Sequence, residues 1–252
     1  MIDPNYTLVT AVDCSDLLAI NNPLVVESWP EFMLHDAVAG LHWNDLFHRF
    51  PEYQFSLLDQ DTQKVIAAGN CIPLAWDGDP SQLPDKGWDW ALAQGVDDLA
   101  NGRQPHTLCA LQIMVAGSHR GKKLSSQIIE IMKKIGSDNG LKRLIAPVRP
   151  NFKSRYPLTS MNNYIKWENS HGLPFDPWLR VHFRMGAEII NVCPQAMHIS
   201  GSITQWEQWT EMPLPESGRY IIPGALVPVE IDRNADTGIY VEPNVWMVHR
   251  QA

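Results

Sequence analysis

Three basic side chains crowd one short turn of this sequence. Arg120, Lys122 and Lys123 stand beside Gly117 and Gly121 in the run Ala116-Gly-Ser-His-Arg-Gly121-Lys-Lys. The residues before it, Leu108 to Val115 (LCALQIMV), are almost continuously apolar, as expected of a strand buried on both faces. After it, Leu124, Ile128, Ile131 and Ile135 recur at helical spacing. A strand that runs into a tight turn and then a helix aims unpaired backbone N–H groups and the positive end of a helix dipole at one point. The chemistry offered there is anion binding, and a diphosphate satisfies both the amides and the cations. A solvated basic loop ahead of an ordinary helix is the other reading of these residues.

Familiar alternatives fail on spacing. Gly117 and Gly121 are one residue too close for a P-loop, and Lys123 stands where its magnesium-binding Ser or Thr belongs. The loop lacks the dinucleotide fingerprint G-x-G-x-x-G. There is no G-x-S-x-G elbow and no H-E-x-x-H. Cys14, Cys71, Cys109 and Cys193 form no C-x-x-C, and His35, His42 and His48 miss the i, i+4 spacing of a helical metal site, so no metal is assigned.

The elements that must position the loop follow from pattern. Tyr6 to Val12 reads as a strand, and Leu17 to His48 as mostly helical, punctuated by Pro23 and Pro30. Two apolar runs, Tyr53 to Asp59 and Lys64 to Ala75, flank the polar turn Gln60-Asp-Thr-Gln63 and read as a β-hairpin. Residues 76–107, with Trp88, Trp90 and an acidic helix near Ala91 to Ala100, read as an insertion or lid. A helix from about Lys122 to Asn139, closed by Gly140, leads to a strand from Arg143 to Val148. Strand, helix and strand in this order favour a parallel pair with a crossover helix. Residues 152–176 read as a second, loop-rich insertion. Pro177 to Met185 reads as a helix ended by Gly186, and Glu188 to Cys193 as a strand. Ser202 and Gln205 suggest a capping box. Tyr220 to Asp232 and Gly238 to His249 read as a C-terminal hairpin, whose Pro223, Pro228 and Pro243 suggest edge strands or bulges.

Composition sets limits on function. The 252 residues carry 20 Lys+Arg against 28 Asp+Glu, a net charge of -8, which removes the electrostatic footprint of a nucleic-acid binder while allowing one local basic site. No apolar run reaches the ~20 residues of a membrane span, and the first residues do not resemble a signal peptide. The expectation is a cytoplasmic protein with reduced thiols and no membrane partner, folded as a single domain over 1–252.

The run Ile113-Met-Val-Ala-Gly-Ser-His-Arg-Gly-Lys-Lys-Leu-Ser-Ser126 resembles the acyl-CoA-binding core of the GNAT superfamily of N-acyltransferases, written Q/R-x-x-G-x-G/A. Val115, Arg120, Gly121 and a small Ser125 agree with the family's string. Ser118 stands at the Q/R position, Lys123 at a glycine or alanine, and Gly117 at a common proline. The segment Leu179-Arg-Val-His-Phe-Arg-Met-Gly-Ala-Glu-Ile-Ile190 is similar to the family's helix ending in Y-x-x-x-G-F, with His182 at the place of the tyrosine that gives a proton to the CoA thiolate. Asn151, with Ser154 three residues on, is similar to the family's pantetheine-binding N-x-x-A/S step. These segments span residues 108–193, and the hairpin of 53–75 falls where the family's second and third strands belong.

The resemblance implies an α/β fold with a mixed sheet, a core of 53–75 and 108–193, and a C-terminal extension over 200–252. It implies two strands diverging after residues 113–115 and 148–151, with the thioester between them. Ile113, Met114 and Val115 would then bind pantetheine, and Arg120, Gly121, Lys122, Lys123, Leu124, Ser125 and Ser126 the pyrophosphate. Asn151 and Ser154 would complete the site, with His182 as proton donor. His182 also reads as a buried helix histidine held by a neighbour. Tyr156 and Tyr164 are alternative donors, and Glu188, Glu242 or a water chain could serve as base. Trp29, Trp43, Trp88 and Trp90 lie on the family's acceptor side, as pocket or as core. The function implied is acetyl transfer from acetyl-CoA, without a metal, to a small-molecule amine. Malonyl-CoA decarboxylation with transfer to a carrier-protein thiol, as in polyketide-loading relatives, and an acyl-CoA-binding module without turnover are the alternatives. The proline-broken terminal strands could pair two copies as a homodimer.

Overall fold

The computed structural model describes residues 3–250. Its nine strands form one mixed sheet. In chain order they are β1 (Tyr6–Thr10), β2 (Gln54–Asp59), β3 (Val65–Leu74), β4 (Thr107–Val115), β5 (Arg143–Val148), β6 (Ala187–Gly201), β7 (Gly218–Tyr220), β8 (Val229–Asp232) and β9 (Thr237–Arg250). The helices are α1 (Leu17–Ser28), α2 (Ala37–Arg49), α3 (Gly87–Ala100), α4 (Leu124–Asp138), α5 (Met161–Tyr164), α6 (Pro177–Arg184) and α7 (Ile203–Thr210). The sheet runs β1-β2-β3-β4-β5-β9-β8-β7, with β6 on the other edge of β9. The expected mixed α/β class, the hairpin of β2 and β3, and the crossover from β4 through α4 to β5 are all present.

The β4–β5 pair is the one parallel pair among the described strands, and it is short. Its register covers only Thr107↔Arg143, Leu108↔Leu144 and Cys109↔Ile145. The divergence therefore begins after Cys109, not after residues 113–115. The cause lies on the other edge of β4. Against β3 the register steps from Cys71↔Ala110 to Asn70↔Gln112, so Leu111 is an extra residue. A β-bulge bends its strand and increases the local twist. Here it releases residues 110–115 from β5 while they stay paired with β3.

Helix α3 corrects the reading of 76–107 as a lid. It packs into the body, burying Trp88, Asp89, Ala91, Leu92, Gly95 and Val96. Trp88 Nε1 donates to the Leu111 carbonyl at 2.8 Å, so this helix satisfies the bulge. Trp88 also stacks on Trp43 of α2, with ring centroids 5.9 Å apart. Beside it Asp36, the N-cap of α2, and Asp89 form a buried carboxyl pair. Burial first, and then the charge of Asp36, pushes Asp89 up to about 8, so the pair holds a proton at neutral pH.

The hairpin of β8 and β9 is present, but its long strand is not at an edge. Val245 to Arg250 pair with β5 on one side, while Gly238 to His249 pair with β6 on the other. Pro243 is tolerated because it falls at a register shift, between Cys193↔Asn244 and Met197↔Glu242. Pro30 follows α1, but Pro23 lies inside it. Burial of Leu17, Asn21 and Leu24 on both sides of the proline holds the turn together.

Trp88→Phe keeps an aromatic ring but removes the indole N–H and part of the ring volume, leaving the Leu111 carbonyl without its donor. The expected cost is about 1–3 kcal/mol, read as a lower urea midpoint with an unchanged m-value.

Candidate active site

Where β4 and β5 part, a cleft of about 1460 Å³ opens between them. Residues 110–115 of β4 form one wall and 146–148 of β5, with Arg149 just beyond it, the other, with α1 and α2 over one end and α4 and α6 at the other. Of the residues singled out in the sequence, Ile113, Met114, Val115, Arg120, Gly121, Lys123, Leu124, Ser125, Ser126, Asn151 and His182 line this cleft. Lys122 and Ser154 do not. Trp29, Trp43 and Trp88 line it, whereas Trp90 packs edge-on against Trp246.

The turn ahead of α4 has the features of an anion site. Lys123 is the N-cap of α4 and its side chain caps nothing. The N–H groups of Leu124 and Ser125 find no acceptor among the described residues. Gly121 has φ +82°, and a Cβ there would meet open space, so glycine is needed for the backbone conformation and not for room. Lys123 is itself left-handed, with φ +60°. That explains why the related motif carries a glycine at this position, and it turns the lysine into solvent beside the amides. Gly117 is occupied differently: its N–H donates to Glu27 at 2.6 Å.

The cleft is basic in an acidic protein. Arg120, Lys123, Arg149, Arg155 and Arg184 line it, with Glu242 as the only carboxylate among the described lining residues. Glu242 is buried and accepts from Arg149 Nε at 2.9 Å, from the Tyr240 hydroxyl at 2.7 Å and from Asn244 at 3.0 Å. Burial opposes the Arg149 charge and Glu242 outweighs it. Arg155 and Arg184 carry no motif, and nothing in their spacing announced them. Trp29 Nε1 and Gln112 Oε1 are buried lining atoms without a protein partner, a donor and an acceptor that a bound ligand can engage.

One buried carboxylate ties β5 to α6. Asp176 caps α6 by accepting from Trp178 N at 2.8 Å and Leu179 N at 3.2 Å. It also accepts from Asn151 N at 3.2 Å, Phe152 N at 2.8 Å and the Tyr164 hydroxyl at 2.8 Å. Asn151 and the helix that carries His182 are thereby placed together. Burial, and then the Asp176 charge, drives the Tyr164 phenol well above its ordinary value. Neither Tyr164 nor Tyr156 lines the cleft.

His182 is 2% exposed, and its Nδ1 meets His249 Nε2 at 2.9 Å. Burial, then the charges of His249 and Lys133, drives its affinity for a second proton well below the usual range. At neutral pH it is an imidazole and not an imidazolium. A neutral ring has an N–H to share but no second proton to give to a thiolate, which was the role implied for it. Among the described residues no group of three or more metal-ligating side chains occurs, and no helix is long and apolar enough to cross a membrane.

No family model matches the chain. It is 31% identical over 277 residues to arginine N-acetyltransferase avaD of Aspergillus versicolor, an alignment covering 98% of this chain and 95% of that protein. Two solved structures share its fold. The loading GNATL domain of CurA from Lyngbya majuscula superposes with TM-score 0.62 at 18% identity, covering 97% of each chain. The GphF GNAT-like decarboxylase in complex with isobutyryl-CoA gives 0.57 at 17% identity, covering 97% of this chain and 98% of that one.

The buried titratable groups set the pH dependence of stability. His249 falls from 6.5 to about 4 in the folded protein, so the unfolded chain takes up the proton first as pH drops. The melting temperature should fall as pH decreases from about 6.5 towards 4, and His249→Leu should flatten that slope. Asp89 works in the opposite sense, since the folded state keeps a proton that the unfolded state loses above 3.8. Asp89→Asn should raise the melting temperature near pH 8, measured by calorimetry across both windows.

Proposed function

The chain belongs to the GNAT superfamily of acyl-CoA N-acyltransferases, and on that premise we propose that it transfers acetyl from acetyl-CoA to a nitrogen of arginine or of a small arginine-like acceptor. The observation that carries this reading is the cleft itself: two parted strands that end at a helix N-terminus with open amides and unpaired cations. The extent of likeness to an arginine N-acetyltransferase supports the choice of acceptor.

Acetyl-CoA would supply the activated carbon: the acceptor nitrogen bonds to it, the carbon–sulfur bond breaks with its electron pair on sulfur, and the proton lost by nitrogen ends on sulfur. The chain's own residues do the rest. Arg120, Lys123 and the amides of Leu124 and Ser125 hold the diphosphate, with Gly121 providing the turn. The backbone of Ile113 to Val115, freed from β5, is available to the pantetheine amides and to the thioester oxygen. Asn151 closes that end, and His182 offers its N–H to the departing sulfur. Lys122 and Ser154 lie off the lining and have no part in this assignment.

The acceptor fits the opposite end. Trp29, Trp43 and Trp88 form an aromatic wall suited to a guanidinium plane. Arg149 already lies over Trp29 at 5.7 Å, which illustrates the contact. A small molecule suits this wall because Trp88 is buried and Trp29 and Trp43 are half-buried in the cleft.

Incubation with acetyl-CoA and L-arginine should release free thiol and yield acetylated arginine by mass. Release of carbon dioxide from malonyl-CoA without acetylated arginine would instead favour the loading-type chemistry. Arg120→Glu with Lys123→Glu should weaken CoA binding roughly 10- to 100-fold, while Lys122→Glu changes it little. Titration calorimetry with CoA decides this. His182→Ala should lower kcat while leaving CoA affinity intact.

A further inference from the structure

Where α6 crosses the end of the sheet, two uncharged imidazoles meet in the protein interior. His182 lines the cleft, and its Nε2 makes no hydrogen bond among the described residues. His249 lies on β9, is 0% exposed, and is held by strand pairing with Leu144 on one side and Ala187 on the other. Its Nε2 is 2.9 Å from His182 Nδ1, and its Nδ1 is buried without a partner. One proton lies between the rings, and either ring can own it.

The closed end of the pair decides ownership. If His182 donated to His249, then His249 would carry its own proton on Nδ1, where no acceptor lies at hydrogen-bond geometry. The Met185 carbonyl is the acceptor on that side and favours a proton on the ring, but it already takes Lys133 Nζ at 2.6 Å. Lys133, with Glu130 3.8 Å from its ammonium, is the charged group that both rings feel. A buried N–H turned towards a positive charge is the costlier arrangement, since orphaned donors are rarer in proteins than under-used acceptors. A bare Nδ1 turns a lone pair to that charge instead.

We propose that His249 is a positioning residue, donating its Nε2–H to His182 Nδ1 and so fixing His182 as the Nε2–H tautomer that faces the cleft. This rests on the acyl-transfer reading only for its consequence. There, the fixed tautomer guarantees that a hydrogen-bond donor, and not a lone pair, meets the departing sulfur. No other described residue hydrogen-bonds to His182 Nδ1, so the tautomer would otherwise be free to flip.

Two measurements on the full chain test it. Nitrogen-15 spectra of the histidine rings near neutral pH, assigned with His182→Gln and His249→Gln, should show His182 protonated on Nε2 and His249 on Nε2. A proton on His182 Nδ1 would overturn the assignment. In steady-state kinetics His249→Leu should lower kcat roughly 10- to 100-fold with the acetyl-CoA KM unchanged. His249→Gln, whose amide can still donate, should recover most of the loss. Wild-type kcat in His249→Leu would refute the positioning role, and if that variant does not fold the ring spectra of the native protein still decide. Should the wild type leave arginine unmodified, the acceptor reading falls, while the spectra judge the tautomer independently.

Discussion

At Leu111, strand β4 has one residue more than its neighbour, and most of the functional architecture depends on that misfit. The extra residue cannot join the ladder with β3, so β4 bends and leaves β5 after Cys109. A sheet that parts in its middle exposes backbone groups that water or a ligand must satisfy. The fold manages the rest of the cost locally. Trp88 supplies the carbonyl of Leu111 with a donor, and β9 takes over the far edge of β5 along its whole length. The opening is thereby confined to one face, lined by strand backbone, and aimed at the start of α4.

Electrostatics then sorts the cleft by depth. At its rim, Arg120 and Lys123 have no anion committed to them among the described residues, in a protein whose net charge is -8. Deeper, charge persists only where it is paired, as for Arg149 with Glu242. In the interior around the cleft, groups that face no opposite charge give up their own: Asp89 keeps a proton, and His182 and His249 refuse one. The same residue type therefore has different chemistry by position. Burial makes His182 a neutral imidazole, in contrast to a histidine held in solvent.

Local patterns in the chain carried much of this. The apolar run of β4, the glycine turn, the Gly140 stop and the Pro177 start of α6 each announce an element, because their causes are short-range: periodicity, caps and left-handed glycine. Lys123 was legible as an oddity, and its positive φ supplies the reason. Other features gave no local sign. The prolines of the last segment suggested edge strands, but a register shift opposite Pro243 lets β9 lie at the centre. An acidic helix with two tryptophans suggested a lid, yet its apolar face is buried against the sheet and α2.

What the amino-acid order determined alone is the inventory and its local placement: a strand, a basic glycine turn, a helix, and a histidine on the helix that follows Asp176. The tertiary structure decided which of those groups meet. His182 and His249 are 67 residues apart, and Arg155 and Arg184 reach the cleft from separate segments. The bulge itself is a mismatch between two strands, so neither strand's own residues reveal it. Contacts of this kind depend on register and burial, which are properties of the assembled sheet and leave no periodic trace along the chain.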